Sequence, residues 1–401
     1  MKSFFQLFVR KTNSNPFIYE IDFLRFVSII TVMVFHLNSS LTRYFGLSRI
    51  EDSYELLGGG EDMSDIGWWL RRMDLGVRIF FAISGMVLAM PFIKRYLAKE
   101  PYEPVWSFYK RRFFRLEPLF IFSLIAFTLV HLFIQNKPFG DAIQSFFATA
   151  FYSHVLIFGH PSPINPVTWS LETEFQFYLI CPFVIAFIFA YNNRYWISIT
   201  FLLLIVATLF IRNLLFFENN HHLNQSVLFY ISNFSIGILF AWVYVRFKWL
   251  FVRKSFVWDI TTVISIMGLF YFYKPQDDWT RNLFFNSSIL GLFFGVFKGR
   301  LFNKLSKAPI LVLIGGMCYT LYLFHLGAFH FIVPIFMDTL DTVDYPFALA
   351  ASFFVVIPLT ILFCSAIYLL IEKPTMDARW PRKLLYFIVG KGGKKRTNAT
   401  Q

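Results

Sequence analysis

The stretch EIDFLRFVSIITVMVFHL, residues Glu20–Leu37, decides how this chain is interpreted, because it is an apolar run that carries an arginine and a histidine. Arg25 and His36 are eleven residues apart. On an α-helix this spacing places the two side chains within about 20° of one another and separates them by about 16 Å along the axis. A charge in hydrocarbon costs about 2.5–3.5 kcal/mol, so such a residue is usually functional. The alternative is that Arg25 snorkels to the headgroups and His36 marks the opposite interface.

The composition predicts a polytopic membrane protein. The 401 residues are 57% hydrophobic and 21% aromatic, and only 15% are charged. The apolar residues occur in long blocks that a soluble domain could not bury. The net charge of +13 comes largely from short basic segments between these blocks. Such segments are a signal of membrane orientation, so we expect no nucleic-acid partner. No small-residue cleavage site follows the first run, and we expect that run to be retained.

Ten apolar runs are long enough to cross a bilayer, so the sequence predicts an all-α protein with about ten transmembrane helices. These runs are 22–38, 76–93, 118–134, 174–191, 196–216, 226–246, 256–273, 283–298, 310–336 and 347–371. An eleventh run, 142–158, is interrupted by polar residues, and we expect it to be interfacial or re-entrant. We expect residues 1–375 to form one transmembrane domain and residues 376–401 to form a basic cytoplasmic tail.

The basic segments favour a topology with both termini on the cytoplasmic side. With ten crossings, the basic loops 94–117, 246–255 and 298–307 are cytoplasmic together with the tail. The acidic loop Met337–Pro346 then faces outward. If 142–158 crossed as well, the later basic loops would be exported, against the positive-inside rule. The expected location is therefore the cell (inner, cytoplasmic) membrane, with multiple passes and with membrane lipid as a partner.

Three titratable residues are predicted to meet near the outer side of the membrane. His36 ends the first run, Glu174 opens the fourth, and His325 lies in the outer half of the ninth. A carboxylate that orients a histidine ring and stabilises its protonated form is the minimal arrangement for general-base catalysis. Each residue alone is also consistent with an interfacial polar group that has a hydrogen bond. Their combination favours a catalytic role for His36, Glu174 and His325.

Two arginines on the opposite side are candidates for binding phosphate. Arg112 and Arg115 are three residues apart and share one face at the start of a helix. There, two guanidinium groups can bind phosphate bidentately. Ordinary positive-inside topology explains the same residues without a ligand, and that alternative stays open at this point.

We predict no metal site. His36, His325 and Glu174 lack the local HExxH-like spacing of many zinc sites. The three cysteines lie inside apolar segments without a pairing pattern, and we expect buried neutral thiols there. They are Cys181, Cys318 and Cys364.

Six motifs, in order along the chain, resemble those of the integral-membrane acyltransferase family 3. They are DFLRFVSIITVMVFH (Asp22–His36), GVRIFFAISG (Gly76–Gly85), RRFFRLEP (Arg111–Pro118), WSLETEFQFYL (Trp169–Leu179), YTLYLFH (Tyr319–His325) and IEKP (Ile371–Pro374). The resemblance covers about residues 18–375, so we expect the transmembrane domain to be an acyltransferase domain. Two residues depart from the pattern. Glu117 stands where an aromatic or aliphatic residue is usual, and Glu172 adds a second acid beside Glu174.

The resemblance implies an O-acyltransferase. In this family an acyl group, commonly acetyl, moves from cytoplasmic acyl-CoA to a hydroxyl of an outward-facing carbohydrate or glycolipid. Arg112 and Arg115 would bind the phosphates of CoA, and Arg25 would hold the donor in a channel. His36 would deprotonate the acceptor hydroxyl or carry the acyl group, with Glu174 orienting it. We expect acyl-CoA, with acetyl-CoA foremost, as donor substrate and a carbohydrate or lipid-linked glycan as acceptor.

Five further residues are predicted to bind substrate: Trp169, Ser170, Tyr178, Tyr322 and Arg78. Two other functions remain open from the sequence. One is a transporter or flippase that uses the intramembrane His, Arg and Glu as a substrate or proton path. The other is a channel-like or structural protein in which these residues serve only packing. The sequence also leaves open whether Glu172 or Glu174 is the working carboxylate.

Overall fold

The computed structural model describes residues 17–58, 63–101, 104–189, 195–197, 199–201, 203, 206–207, 210–211, 221–273, 279–340, 342–376 and 380. In these ranges every regular element is helical, as the sequence predicted. The long helices α1 to α10 are Tyr19–Tyr44, Gly76–Ala98, Val105–Phe133, Phe139–Ala150, Trp169–Ile188, Val227–Arg246, Phe256–Phe272, Trp279–Lys298, Cys318–Met337 and Tyr345–Ile367. Short helices include Ile50–Glu55, Ile66–Leu70, His154–Phe158, Leu301–Leu305 and Pro309–Gly316, and a π-helical turn, Tyr368–Glu372, follows α10.

Six helical segments in the described part of the chain are long and apolar enough to cross a membrane. They are Ile66–Ala98, Val105–Phe133, Thr168–Ile188, Val227–Arg246, Cys318–Met337 and Tyr345–Thr375. These segments support a multi-pass membrane protein. The first helix, α1, has 26 residues but is not one of the six. The count of about ten crossings and the sidedness stay predictions. The predicted span 196–216 falls mostly outside the described residues, as does the tail 376–401 apart from Met376 and Trp380.

The predicted ninth span, 310–336, is two helices and not one. Pro309–Gly316 is a separate short helix, Met317 has φ −99° and ψ 19°, and α9 begins at Cys318. The short helix packs directly on α1, and a Cβ at Gly315 would overlap the carbonyl oxygen of Asp22. Glycine therefore permits this close approach. The break places α9 at its own angle to α1, independently of the preceding turn.

The interrupted run 142–158 also folds as two helices. The helix α4 ends at Ala150, Tyr152 has a positive φ of 54°, and a short helix follows at His154–Phe158. With 12 residues, α4 is about 18 Å long. The hydrocarbon core is about 30 Å thick, so neither piece is long enough to cross it. This agrees with the expectation that 142–158 does not cross.

The helix α2 lies at the centre of the bundle, against α1, α5 and α6. Its contact with α6 is very close, because a Cβ added at Gly237 would overlap the carbonyl oxygen of Ala82. Small residues at helix contacts are typical of membrane bundles, where packing replaces the hydrophobic effect between helices. The helix α1 is held between α2, α9 and α10. These contacts hold the polar residues of α1 against the interior of the bundle.

Candidate active site

The two histidines that the sequence singled out are in contact. His36 on α1 and His325 on α9 are 289 residues apart, yet Nδ1 of His36 lies 2.8 Å from Nε2 of His325. The ring centroids are 5.0 Å apart. His325 is fully buried, whereas His36 is partly exposed. Packing of α9 on α1 therefore builds a pair in which only one ring can reach a ligand.

The hydrogen bonds of the pair determine which ring nitrogens carry protons. Nδ1 of His325 lies 2.8 Å from the carbonyl oxygen of Leu321. A carbonyl oxygen only accepts, so this nitrogen carries the proton in the neutral ring and Nε2 of His325 is an acceptor. Nδ1 of His36 then donates to that acceptor, and Nε2 of His36 keeps its lone pair. An oriented imidazole with one unprotonated nitrogen is what a general base requires.

Glu174 on α5 has partners other than His36. Its Oε1 atom accepts a hydrogen bond from the hydroxyl of Tyr178 at 2.6 Å and another from the hydroxyl of Ser84. Among the hydrogen bonds of the described residues, none joins Glu174 to His36. We expected Glu174 to orient the ring of His36, and the structure instead places His325 there. The sequence analysis missed Ser84, although it lies inside the GVRIFFAISG motif.

The second acid, Glu172, faces away from the ligand space. It is 1% exposed, and its Oε2 atom accepts from the backbone N–H of Val155 at 2.9 Å. That bond ties the short helix His154–Phe158 to α5. Glu174 lines two cavities and Glu172 lines neither of them. Of the two acids, Glu174 is therefore the one that a ligand can contact.

A cavity of about 110 Å³, here called the central cavity, brings together most of the other predicted residues. Its polar lining consists of Arg25, Ser84, Arg112, Arg115, Ser170, Glu174, Tyr178, Tyr319, Tyr322 and Glu372. Arg25 also forms an ion pair with Asp22, one turn earlier on α1, at 2.7 Å. Arg25 on α1 thus meets Arg112 and Arg115 of α3 in one cavity, which suits an anionic ligand.

Tyr322 joins the central cavity to the histidine pair. Its hydroxyl donates to the carbonyl oxygen of Val167 at 2.6 Å, so the hydroxyl of Ser170 donates to Tyr322 in the bond between them. Its ring centroid is 6.1 Å from that of His325. The histidine rings do not line the cavity, but they lie directly behind the Tyr322 wall.

The structure separates two predicted substrate-binding residues from the central cavity. Trp169 packs with its ring centroid 5.7 Å from that of Tyr230. Arg78 is buried, with one guanidinium nitrogen 3.4 Å from Oδ1 of Asn282 and its guanidinium carbon 4.8 Å from the centre of the Tyr273 ring. These contacts account for both residues as packing groups, and substrate binding by either stays a prediction.

A second part of the site is a cavity of about 470 Å³, here called the basic cavity. Lys110 and Arg111 line it, and it shares Arg112 and Arg115 with the central cavity. The last two arginines therefore lie at the boundary of two spaces. A ligand whose phosphates occupy the basic cavity could extend past them into the central cavity.

Glu372 is a cavity residue that the sequence analysis did not single out, although it lies in the IEKP motif. Its Oε2 atom accepts from the backbone N–H of Thr320 at 3.2 Å and from the hydroxyl of Thr320 at 2.5 Å. It ends the π-helical turn Tyr368–Glu372. Such turns are rare and occur mostly at functional sites. The motif resemblance was the available signal for this residue.

Within the described residues, no group of three or more His, Cys, Asp or Glu side chains could hold a metal ion. The cysteines Cys181, Cys318 and Cys364 form no disulfide bond with one another.

Comparison with known proteins links this chain to acyl transfer. The family model described as "Acyltransferase domain" matches residues 18–369. The proteins named O-acetyltransferase OatA of Staphylococcus aureus strains NCTC 8325 and COL are each 26% identical to this chain over 346 residues. The alignments cover 79% of this chain and 51% of each relative. The chain thus spans about half the length of these relatives. No solved structure matches.

Proposed function

The chain belongs to the acyltransferase family 3 and is an enzyme that transfers acyl groups, and on that premise we propose a membrane O-acyltransferase. The donor is cytoplasmic acyl-CoA, with acetyl as the expected group, and the acceptor is a hydroxyl of an extracytoplasmic carbohydrate or glycolipid. The names of the OatA relatives support acetyl as the group. The observation that carries the proposal is the His36–His325 pair beside a cavity that holds three arginines.

The donor half of the proposal rests on the arginines. In our assignment the phosphates of CoA lie in the basic cavity against Arg112 and Arg115, which the central cavity shares. The pantetheine arm then extends along the central cavity, where Arg25 is the third cation. Arginine suits this role because its planar fork binds phosphate oxygens bidentately. The thioester carbonyl is thereby brought towards the Tyr322 wall.

The acceptor half rests on the free nitrogen of His36. Nε2 of His36 takes the proton of the acceptor hydroxyl while that oxygen forms a bond to the thioester carbon. The carbon–sulfur bond breaks, and the proton on His36 passes to the departing thiolate, so that free CoA leaves. During this step His36 is positively charged and its Nδ1–H donates to the lone pair of His325. In the proposed mechanism His325 holds the place that an aspartate holds in a serine hydrolase triad.

Glu174 is assigned to the wall of the central cavity and not to the base. Its carboxylate accepts from both Ser84 and Tyr178 and so fixes these two hydroxyls. The carboxylate also adds negative charge to a cavity with Arg25, Arg112 and Arg115. We therefore expect Glu174 to set the position of the donor, with its effect expressed mainly in donor binding.

The experiment compares the acetylation of surface carbohydrate in cells that carry the chain or its variants. Mass spectrometry of the isolated glycans should detect added acetyl groups with the unaltered chain. His36→Ala should lose at least about 99% of the product while the protein stays in the membrane, because general acid–base catalysis contributes about 10²–10⁴-fold. The matched control is His330→Ala, since His330 is an exposed histidine on the same helix as His325. Full acetylation by His36→Ala would overturn the proposal.

The transporter or flippase that the sequence left open is not favoured by membership of an acyltransferase family. A transporter would move substrate without consuming acyl-CoA. The acetylation experiment covers this alternative, because it follows a covalent product that transport alone does not form.

A further inference from the structure

A third space, here called the apolar cavity, lies between α3 and α5. Its volume is about 520 Å³. Aromatic and aliphatic side chains form most of its wall, including Trp106, Phe113, Tyr152, Leu171, Phe175 and Leu179. The proposed transfer of an acetyl group requires much less room than this. Ordinary interiors are close-packed with few voids, so a space of this size and polarity needs an occupant.

The apolar cavity adjoins the central cavity along a shared wall. The residues that line both cavities are Arg112, Leu116, Leu171, Glu174, Tyr178 and Tyr319. Arg112 and Lys110 also line the basic cavity. The three spaces therefore meet at Arg112. A ligand that extends from the arginines along the central cavity passes beside the apolar cavity.

The wall of the apolar cavity is well ordered by its contacts. The ring of Tyr152 is stacked between Phe120 and Phe175, with centroid distances of 4.8 Å and 4.2 Å. Its hydroxyl donates to Oε1 of Glu117 at 2.8 Å. Glu117 is one of the two residues that depart from the family pattern, and here its carboxylate fixes the hydroxyl of the stacked Tyr152.

We propose that the apolar cavity holds the hydrocarbon chain of the donor's acyl group, so that the enzyme accepts thioesters with acyl chains longer than acetyl. This inference rests on the proposed function, because it needs the phosphates of CoA at Arg112. In the proposed function the thioester carbonyl lies at the Tyr322 wall, and from there the acyl chain enters the apolar cavity past Leu171 and Tyr319, which line both cavities. Burial of its methylenes there is favourable at about 25 cal/mol per Å².

The alternative occupant is a membrane lipid. The rim residues Trp106 and Phe113 are 74% and 58% exposed, so the cavity is open at the surface. The rim also carries Lys110 and Arg112, which the basic cavity shares. That continuity places the opening at the donor end of α3. We therefore favour the donor's own chain as occupant.

The test measures donor binding, which needs no acceptor. The purified full chain in lipid nanodiscs binds radiolabelled CoA, and unlabelled CoA, acetyl-CoA, hexanoyl-CoA and octanoyl-CoA compete for it. Full burial of one methylene increases affinity by about fourfold. Octanoyl-CoA has six more methylenes than acetyl-CoA, so we expect it to bind at least about tenfold more tightly even with partial burial. Empty nanodiscs measure partition of the acyl chain into lipid.

A pair of matched variants tests where the acyl chain binds. Leu179→Trp fills the apolar cavity from a residue that is 45% exposed and does not line the central cavity. It should lower the affinity for octanoyl-CoA by about tenfold and leave the affinities for CoA and acetyl-CoA within about twofold of their original values. The control is Leu129→Trp on α3, at a residue that is 49% exposed and lines none of the three cavities. This control should change no affinity.

Three results would overturn the inference. Equal affinities for acetyl-CoA and octanoyl-CoA would show that the longer acyl chain gains no apolar contact. That result is expected if a lipid occupies the apolar cavity. If Leu179→Trp lowered the affinity for all donors equally, the acyl chain would not lie at Leu179. The same conclusion would follow if both tryptophan variants lowered the affinity for octanoyl-CoA equally. Absence of any CoA binding would overturn the donor assignment of the proposed function as well. CoA binding without dependence on chain length would overturn only the further inference.

Discussion

In the proposed mechanism His36 is a base whose ring is oriented by a second histidine and not by a carboxylate. A carboxylate would stabilise the charged ring strongly, whereas the neutral ring of His325 offers a single lone pair. The bond from Nδ1 of His325 to Leu321 is what directs that lone pair towards His36. In the proposed mechanism His325 is therefore a positioning residue, and its contribution should appear in turnover and not in donor binding.

The first prediction concerns His325. His325→Ala should lower kcat by about 10- to 100-fold and leave the KM for acyl-CoA within about twofold, because the ring orients the base and does not contact the donor. His325→Gln should recover part of the loss, since its amide oxygen can accept from Nδ1 of His36. Steady-state kinetics with acetyl-CoA measure both values. A parallel rise in KM would indicate a role in donor binding instead.

The second prediction concerns the shared arginines. Arg112→Ala and Arg115→Ala should each raise the KM for acyl-CoA by about tenfold, since a hydrogen bond to a charged group contributes about 1.5–3 kcal/mol. Arg112→Lys should recover little, because lysine cannot bind phosphate bidentately. The control is Arg246→Ala, which removes one exposed cation from another basic segment. If all three alanine variants behaved alike, the arginines would serve membrane topology alone.

At the scale of the helices, the site depends on how closely α2 lies against its neighbours. Ser84 on α2 donates to Glu174 on α5, so the position of α2 determines whether this bond can form. Gly237 on α6 sets that position, because its α-carbon lies against the backbone of α2 at Ala82. The helix contact and the geometry of the central cavity are therefore one structural feature.

The third prediction tests this contact. Gly237→Ala should destabilise the fold by about 1–3 kcal/mol, because the added Cβ overlaps a backbone carbonyl and the two helices must separate. Gly140→Ala is the matched control, since a Cβ there meets no atom within 4 Å. That control should be neutral or gain up to about 1 kcal/mol from helix propensity. Thermal unfolding of the purified variants in detergent measures the difference, and equal stability of the two would contradict this account.

At the scale of the whole molecule, the proposed reaction needs a donor and an acceptor to arrive from opposite sides. The basic cavity and the histidine pair would then lie at different depths, with the central cavity between them. This arrangement requires the sidedness that the basic loops predict. If the loops were reversed, the arginines at the basic cavity would face away from cytoplasmic acyl-CoA.

The fourth prediction tests sidedness in intact cells. Cysteines introduced as Lys248→Cys and Thr342→Cys are both at exposed positions, one in a basic loop and one in the acidic loop. A membrane-impermeant maleimide should label Thr342→Cys from outside and should label Lys248→Cys only after the membrane is opened. Labelling of Lys248→Cys in intact cells would contradict the predicted topology.

The sequence alone was enough to predict a helical membrane protein and its family. Apolar blocks of sufficient length encode membrane helices locally, and the motifs around His36, Arg112 and Glu174 could be recognised one after another. It also predicts that 142–158 does not cross, because its polar interruptions are visible in the sequence, and this stays a prediction. The break at Met317 was missed, since an uninterrupted apolar run hides a change of direction.

Only the tertiary structure decided which residues meet. It placed His325 and not Glu174 at the ring of His36, brought Arg25 into one cavity with Arg112 and Arg115, and separated Arg78 from them. The physical reason is that membrane helices are apolar towards lipid and towards one another, so their sequence pattern does not reveal which face is turned inward. The rotation of each helix follows from packing across the whole bundle, between residues hundreds of positions apart.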